Sequence, residues 1–360
     1  MRLNKEIYDM KLAITNECVL QCKYCFVKKK HSYMDFNTAK NAVDLLLTSS
    51  GSEKILRIYG GEPLLHFSLI DKIVPYAFKK AQIEQKDLII TPCTNAVLLT
   101  KERISFFKDY NLKLAISIDG NKDTHNKFRV YSNNMGSFDK VRENLPAVFK
   151  NIARKNIAAA LDVTPSTAGK LYENFKYILK LGFDTINIEP IHGFQRWDNK
   201  AQKELGDSIN KIIRYIFKEI KNNNFIFLTT INREMKNNNL SNFRKGRCLF
   251  FQSLEVCPDG EMVFSSFLFN SLDKNRYIMG DVNAGIQKQY KNCSFLQKSA
   301  KCRNCVSTYF NQYSDSSRSQ LSMKIRDLFS ISAAQEFMKL SESSPRFRSY
   351  VTEAKEHICF

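Results

Sequence analysis

The sequence predicts an α/β fold, a partial (β/α)6 barrel on a parallel sheet, followed by a small C-terminal domain with a β-hairpin and helix. Apolar, β-branched runs recur six times in the first half of the chain, and segments with helical periodicity separate them. This alternation is typical of a parallel sheet covered by helices. A chain of 360 residues that is 43% hydrophobic is long enough to bury such a core and a smaller domain.

The predicted strands are "MKLAIT", "KILRIYG", "DLIITPCT", "LKLAISID", "IAAALDVT" and "DTINIEPI". The first predicted helix, "DFNTAKNAVDLLL", opens on Asp35 and Asn37, residue types that cap helix N-termini. Further helices are predicted around residues 66–82, 100–110, 137–154 and 166–181. Because parallel strands end at one edge of the sheet, functional groups are expected at their C-terminal ends.

The second half of the sequence differs in character from the first. Its polar segment at 199–245 is rich in Lys and Asn, and Pro258-Asp259-Gly260 in the next segment predicts a hairpin turn. The last segment is predicted to be helical and basic. The predicted domains are a barrel at 1–198, a helical linker at 199–245, a small cysteine-containing domain at 246–315 and a tail at 316–360.

The chain is strongly basic, with 55 Lys and Arg against 36 Asp and Glu and a net charge of +19. Such a charge suits nucleic acid, an anionic membrane surface or an acidic substrate. The lysines are spread along helices without a compact basic block interleaved with aromatics, so a solvated surface is favoured over nucleic-acid binding. No apolar run approaches the ~18 residues that span a bilayer, and "MRLNKEIYDMK" lacks the apolar core of a signal peptide. A soluble cytoplasmic protein without a membrane partner is expected.

Cys18, Cys22 and Cys25 lie within eight positions, and no fourth cysteine is near. Three thiolates on a cubane iron–sulfur cluster leave one iron open for a small molecule with an amine and a carboxylate. Structural zinc requires four protein ligands. A zinc ion held by three thiolates and a catalytic water is the alternative.

Other motifs follow the next predicted strands: "YGGEP" at 59–63, "TPCTN" at 91–95 and "SIDG" at 117–120. Each taken alone is also compatible with an ordinary turn. Their position at the same edge of one sheet, together with the cysteine triplet, indicates a functional site.

The spacing Cys18-x-x-x-Cys22-x-x-Cys25, followed by Gly60-Gly61-Glu62-Pro63 after the second strand, resembles the radical S-adenosylmethionine (radical SAM) superfamily over residues 11–195. The resemblance implies a [4Fe-4S] cluster on the three cysteines and S-adenosyl-L-methionine as cofactor. It also implies cleavage of that cofactor to a 5′-deoxyadenosyl radical that takes a hydrogen atom from a substrate. A reducing electron donor such as flavodoxin or ferredoxin is expected as a partner.

The resemblance also assigns cofactor contacts. Tyr24 is expected near the adenine, and Gly61 and Glu62 are expected to receive the methionine amino group. Ile191 is expected to contact the adenine from its position alone, at the end of the sixth strand. In "SIDGNKDTHNKFRVYSNNMGSF", which resembles the peptide-modifying branch, Ser117 and Arg129 are expected to engage the cofactor's carboxylate. The alternative for Arg129 is a surface arginine in a loop. The other residues expected at the cofactor are Gly60, Thr94, Asn95 and Asp119.

Cys93 departs from the family pattern, since relatives usually carry a polar residue at this position. A thiol at the end of the third strand is expected to point toward the radical, where its weak S–H bond suits donation of a hydrogen atom. Such a role fits an epimerase. The alternative is an ordinary buried cysteine of the core.

The order of features over residues 246–315 resembles the SPASM or twitch extension of radical SAM enzymes, which holds auxiliary iron–sulfur clusters. Ser265, Asn311 and Asp315 stand where a full set has further ligands, which excludes a two-cluster extension. Cys257 is expected near the hairpin tip, too far to join Cys248. One auxiliary cluster is therefore expected, and a zinc site or no metal are the alternatives. Its expected ligands are Cys248, Cys302, Cys305 and Cys293.

Maturation of a ribosomally made peptide, by crosslink, thioether or epimerisation, is the predicted function. Ser266 stands where sulfatase-maturing relatives have an aspartate base, so sulfatase maturation is not expected. RNA modification and small-molecule dehydrogenation are the alternative enzyme functions. A non-catalytic iron–sulfur or zinc module that binds nucleic acid is the alternative of another class.

Overall fold

The structure is a computed structural model that describes residues 7–191, 194–236, 253–263, 278–286 and 316–357. The chain divides into two compact units. The described residues of the first unit fall within 1–21, 25–115 and 246–299, and those of the second fall within 22–24, 116–245 and 300–360.

The strands of the described residues are β1 (Asp9–Ala13), β2 (Glu53–Tyr59), β3 (Asp87–Thr94), β4 (Leu114–Ser117), β5 (Ile157–Val163), β6 (Thr185–Pro190), β7 (Phe227–Leu228), β8 (Ser253–Val256), β9 (Glu261–Val263), β10 (Gly280–Asp281) and β11 (Gly285–Ile286). The helices are α1 (Phe36–Thr48), α2 (Phe67–Ile83), α3 (Lys101–Asp109), α4 (Lys122–Phe128), α5 (Phe138–Asn151), α6 (Leu171–Leu181), α7 (Asn199–Lys221), α8 (Thr229–Lys236), α9 (Ser316–Ser343) and α10 (Pro345–Glu356).

The first unit is built on the parallel strands β1, β2 and β3, in which Lys11 lies opposite Arg57 and Arg57 opposite Thr91. Met10 and Leu12, which alternate with polar residues along β1, are fully buried. Helix α1 begins after Asp35, whose Oδ1 atom accepts a hydrogen bond from the Thr38 amide at 2.9 Å. The cap predicted at Asp35 is therefore confirmed, whereas Asn37 lies inside the helix.

The hairpin predicted at Pro258-Asp259-Gly260 is confirmed, because β8 pairs with β9 in antiparallel orientation. Strand β8 also pairs in parallel with β1, so that Glu255 lies opposite Lys11. The sequence places this hairpin in a separate C-terminal domain, but its described strands extend the sheet of the first unit. Pairing between β1 and β8 joins segments more than two hundred residues apart, which local sequence patterns do not reveal.

The second unit contains the parallel strands β5, β6 and β7, with Asp162 of β5 opposite Glu189 of β6. Strand β4 begins in the first unit and ends in the second. The predicted helical tail is confirmed as α9 and α10, whose Phe337 and Tyr350 are fully buried. The ring of Tyr350 stacks on Phe227 with centroids 5.2 Å apart, so the tail belongs to the hydrophobic core of this unit.

All six predicted strands form, as β1 to β6, and so do the helices predicted between them. Helix α4, of seven residues, is not predicted because it is too short to show a helical period. Across the segments that the structure describes, no helix is both long and apolar enough to cross a membrane.

Candidate active site

The end of β2 lies against the loop that leads to the cysteine triplet, and two glycines make this approach possible. The Gly61 amide donates to Thr15 O at 2.8 Å, and the Glu62 amide donates to Glu17 O at 2.7 Å. A Cβ atom on Gly61 would lie 2.1 Å from Glu17 O. Gly60 has φ of +142°, and a Cβ atom there would lie 2.3 Å from Thr15 O. Only glycine fits at both positions.

The Glu62 carboxylate is enclosed, with 1% of the residue exposed, and accepts three hydrogen bonds within the first unit. Its donors are the Leu64 amide at 3.0 Å, Thr94 Oγ1 at 2.7 Å and the Asn95 amide at 2.8 Å. Burial raises its pKa, and these hydrogen bonds oppose that shift. Glu62 thus ties the end of β2 to the end of β3, while its predicted contact with the methionine amino group remains a prediction.

Two of the three predicted cluster ligands, Cys18 and Cys25, belong to the first unit. Cys18 Sγ accepts from the Leu20 amide at 3.3 Å and from Asn95 Nδ2 at 3.5 Å. Both are donors of the kind that stabilise a cluster-bound thiolate, so the surroundings of Cys18 fit a ligand sulfur. Cys25 is exposed and Cys22 is half-buried. Within the described segments, no three Cys, His, Asp or Glu side chains converge at metal-ligand spacing, so the cluster prediction rests on the motif and the family.

Cys93, the predicted hydrogen donor, is half-buried near the end of β3. Burial raises the pKa of its thiol to about 11, while Arg57 and Lys11 lower it. Arg57 is itself paired with Asp9, with Arg57 Nη2 2.8 Å from Asp9 Oδ2. At neutral pH the Cys93 sulfur therefore keeps its proton, which the predicted role requires.

In the second unit, Tyr24, Phe128 and Ile191 form a buried apolar cluster against which Cys22 and Phe194 pack. The ring centroids of Tyr24 and Phe128 are 5.6 Å apart, and those of Phe128 and Phe194 are 5.8 Å apart. Tyr24 and Ile191, both predicted at the adenine, are thus brought into one cluster. The apolar and aromatic surface of this cluster suits a planar base.

Arg129 is held by two carboxylates in the same unit. Its Nε atom donates to Asp119 Oδ1 at 2.9 Å, and its Nη2 atom donates to Asp162 Oδ2 at 2.6 Å. Asp119 Oδ2 also accepts from the Tyr24 hydroxyl at 2.5 Å. Burial works to lower the pKa of Arg129, but the charges of Asp119 and Asp162 raise it well above its ordinary value. Arg129 is 6% exposed, so the alternative of a surface arginine is wrong.

A chain of hydrogen bonds fixes the backbone around Arg129. The Asp119 amide is 3.4 Å from His125 Nδ1, and His125 Nε2 is 3.0 Å from Ser137 Oγ. The Ser137 hydroxyl in turn donates to Arg129 O at 2.9 Å. Burial, with the Arg129 charge adding to it, lowers the pKa of His125 well below its ordinary value. The neutral imidazole therefore accepts at Nδ1 and donates at Nε2. These hydrogen bonds fix the position of the "SIDG" turn relative to the backbone of Arg129.

Sequence reasoning places Ser117, Asp119 and Arg129 in the site but misses Asp162 and His125. Ser117 lies half-buried at the end of β4. The available signal for Asp162 is a carboxylate near the end of the otherwise apolar run "IAAALDV", where a charge is costly without a partner. Cys257 lies in the hairpin turn after β8, as expected, and its side chain is buried. The predicted auxiliary ligands Cys248, Cys293, Cys302 and Cys305 lie outside the described residues.

The fold and these strand-end motifs define a radical enzyme of the S-adenosylmethionine-dependent type. Residues 12–159 match the family model of the radical SAM superfamily. An uncharacterized protein of Methanocaldococcus jannaschii is 30% identical over 74% of this chain and 89% of its own length. The chain belongs to the radical SAM superfamily, which implies the [4Fe-4S] cluster and S-adenosylmethionine.

The cysteine-type anaerobic sulfatase-maturating enzyme of Clostridium novyi is 23% identical over 81% of this chain and 83% of its own length. A GTP 3′,8-cyclase of Clostridium perfringens is 25% identical over 58% of this chain and 64% of its own length. Among solved structures, native anSMEcpe with bound AdoMet and the Cp18Cys peptide matches with TM-score 0.65 and 17% identity, over 96% of this chain and 99% of the other. The structural match shows a shared fold: the partial barrel with a C-terminal extension.

Proposed function

We propose that this radical SAM enzyme matures a ribosomally made peptide by forming a crosslink or thioether or by epimerising a residue. The observation that carries the proposal is the shared fold, over almost the whole chain, with a structure that holds both AdoMet and a peptide. SuiB of Streptococcus suis, whose structure holds the precursor peptide SuiA, supports it with TM-score 0.51 at 14% identity. The proposed setting is the cytoplasm.

In this proposal Cys18, Cys22 and Cys25 hold the [4Fe-4S] cluster. Tyr24 and Ile191 supply the apolar surface for the adenine. Arg129, with Ser117, binds the carboxylate of S-adenosylmethionine, because the guanidinium suits a carboxylate and is held in place by Asp119. The remaining proposed cofactor contacts are Gly60, Gly61, Glu62, Thr94, Asn95 and Asp119.

When bound, the cluster and S-adenosylmethionine supply a 5′-deoxyadenosyl radical that takes a hydrogen atom from the substrate. The protein positions and shields the reactants. Cys93 is the proposed hydrogen donor if the product is an epimer, since its raised pKa keeps the S–H bond intact. The auxiliary cluster on Cys248, Cys293, Cys302 and Cys305, and a flavodoxin or ferredoxin as electron donor, complete the proposal.

A small-molecule substrate is the second candidate function. The similarity to GTP 3′,8-cyclases favours it, although that similarity covers a smaller share of the chain than the similarity to the sulfatase-maturating enzyme. The two candidate functions require different substrates, a peptide or a small molecule, and one experiment distinguishes them.

The experiment incubates anaerobically reconstituted protein with S-adenosylmethionine, dithionite and one of three probes: a random peptide library, GTP or bulk RNA. Deuterated water serves as solvent. The readouts are 5′-deoxyadenosine and the mass of the probe. A crosslinked or thioether peptide loses two hydrogens, whereas an epimerised peptide gains one solvent deuterium.

The proposal predicts a peptide product and a rise in 5′-deoxyadenosine with peptides alone. Conversion of GTP or RNA without any change in the peptides would overturn it. Cys22→Ala is the matched control, because it removes one proposed cluster ligand and must abolish 5′-deoxyadenosine with every probe.

A further inference from the structure

The two carboxylates that hold Arg129 differ in how firmly they are fixed. Asp119 is 1% exposed and accepts from the Tyr24 hydroxyl, Arg129 Nε and, at 3.3 Å, the Asp162 amide. The Asp162 side chain is 21% exposed, and its Oδ2 atom accepts a hydrogen bond from Arg129 Nη2. Solvent or a ligand can reach Asp162, whereas Asp119 is enclosed.

Binding another anion beside Arg129 would have an electrostatic cost. One guanidinium cation faces Asp119 and Asp162, and Glu189 on β6 lies opposite Asp162 in register. The Tyr24 hydroxyl donates a hydrogen bond to Asp119 and so adds no further anion. A further carboxylate at Arg129 would be added to the two carboxylates that already bind this guanidinium, and like charges so close to one another disfavour full ionisation.

We infer that Asp162 is a positioning residue: it holds Arg129 in the cofactor-free protein and releases it, as a neutral acid, when the carboxylate of S-adenosylmethionine binds. The inference rests on the proposed role of Arg129 in binding that carboxylate. Asp162 takes one proton from solvent, its ion pair with Arg129 breaks, and the ion pair between Arg129 and the cofactor forms. The proton taken up by Asp162 compensates the negative charge of the cofactor's carboxylate, so these two groups together leave the charge around Arg129 unchanged.

The electrostatic surroundings place this proton uptake near neutral pH. Burial raises the pKa of Asp162 to about 7; Arg129 lowers it, and Asp119 and Glu189 raise it. Above this pH the ionised Asp162 competes with the cofactor for Arg129. Cofactor affinity should therefore fall as pH rises, and the loss should disappear when residue 162 carries no titratable group.

The test is anaerobic calorimetry of S-adenosylmethionine binding to reconstituted wild type and Asp162→Asn, in two buffers with different ionisation enthalpies. At pH 8.5 the wild type should take up about one more proton per cofactor bound than the variant. Between pH 7.5 and 8.5 the ratio of the wild-type Kd to the variant Kd should rise up to roughly tenfold. The α-amino group of the cofactor also titrates near this range, but it contributes equally to both proteins.

Asp139→Asn is the matched control, since Asp139 is exposed on α5 and pairs with Lys122 at the surface. It should behave as wild type. Asp162→Ala, which removes the carboxylate without adding an amide, should reproduce the loss of proton uptake.

Equal proton uptake by wild type and both Asp162 variants would overturn the inference. So would weaker binding by the variants with an unchanged pH slope, which a purely structural role predicts. A wild type that binds no S-adenosylmethionine would instead refute the proposed cofactor site, so the two failures are distinguishable.

Discussion

Arg129 Nη2 lies 2.6 Å from Asp162 Oδ2, and this contact joins the segment after α4 to strand β5. Together with Asp119, it places a cation between two carboxylates in a site that encloses more than nine-tenths of Arg129. Buried ion pairs offset the cost of desolvation only when both partners are present. The arrangement therefore links the stability of the second unit to the residue proposed to bind the cofactor.

Replacing Arg129 by Ala is expected to lower stability and cofactor affinity together. The loss of the cation leaves two carboxylates in a buried site, a change that typically costs about 3–5 kcal/mol. The measurements are chemical denaturation and S-adenosylmethionine binding, with iron content expected to stay unchanged. Arg142→Ala, at an exposed position of α5, is the control and should be neutral.

The destabilisation by Arg129→Ala should grow with pH. Burial already raises the pKa values of Asp119 and Asp162, and loss of the cation raises them further. A carboxyl group whose pKa is raised on folding favours the folded state below its ordinary pKa, and that favourable term is lost as pH rises through the folded-state value. A loss of unfolding free energy by Arg129→Ala that is smaller at pH 8 than at pH 5.5 would contradict the ion pairs of Arg129 with Asp119 and Asp162.

Gly61→Ala is expected to disrupt the contact between β2 and the loop that leads to the cysteines. Its Cβ atom would lie 2.1 Å from the backbone oxygen of Glu17, which cannot move without breaking the hydrogen bonds of the strand end. Overpacking of this kind costs about 1–3 kcal/mol or more. The check is the unfolding free energy, beside iron retention after reconstitution.

The matched control for this change is Gly169→Ala. The nearest atom to a Cβ atom there would be Glu204 Oε2, at the end of a flexible side chain, at 3.1 Å. Equal effects of the two substitutions would show that the close approach at Gly61 does not matter.

Cys93 is expected to react slowly with iodoacetamide at neutral pH, because only the thiolate is nucleophilic. Its pKa of about 11 predicts a rate that rises about tenfold per pH unit from pH 7.5 to 9.5 without levelling off. Mass spectrometry of the peptide that contains Cys93 measures the rate, with glutathione as the reference thiol. A rate that levels off near pH 8.5, as for an ordinary thiol, would contradict the assigned environment.

The barrel strands could be predicted because each is a short apolar run followed by a turn signal or a helical period. The motifs at their ends could be predicted because the chemistry they serve demands particular residues at particular spacings, as with Cys18, Cys22 and Cys25. These are local features, and a single sequence displays them.

Pairings between distant segments could not be predicted in the same way. Nothing around Ser253 indicates that β8 lies beside β1, and nothing around Asp162 indicates that its partner is Arg129, 33 residues away. An isolated charged residue in an apolar strand indicates that a partner of opposite charge exists, but it does not identify that partner. The hydrogen bonds of Glu62 are likewise not apparent from the sequence, because its three donors come from the turn after β2 and the end of β3.

The most direct test is the iron and sulfide content per chain after anaerobic reconstitution, in wild type and in the Cys18/Cys22/Cys25→Ala variant. About eight irons are expected in wild type and about four in the variant, and the four that remain belong to the proposed auxiliary cluster. About four irons in wild type and none in the variant would support the barrel cluster and contradict the auxiliary cluster. No iron in wild type, or the same iron content in both proteins, would contradict the central claim that these three cysteines hold a [4Fe-4S] cluster.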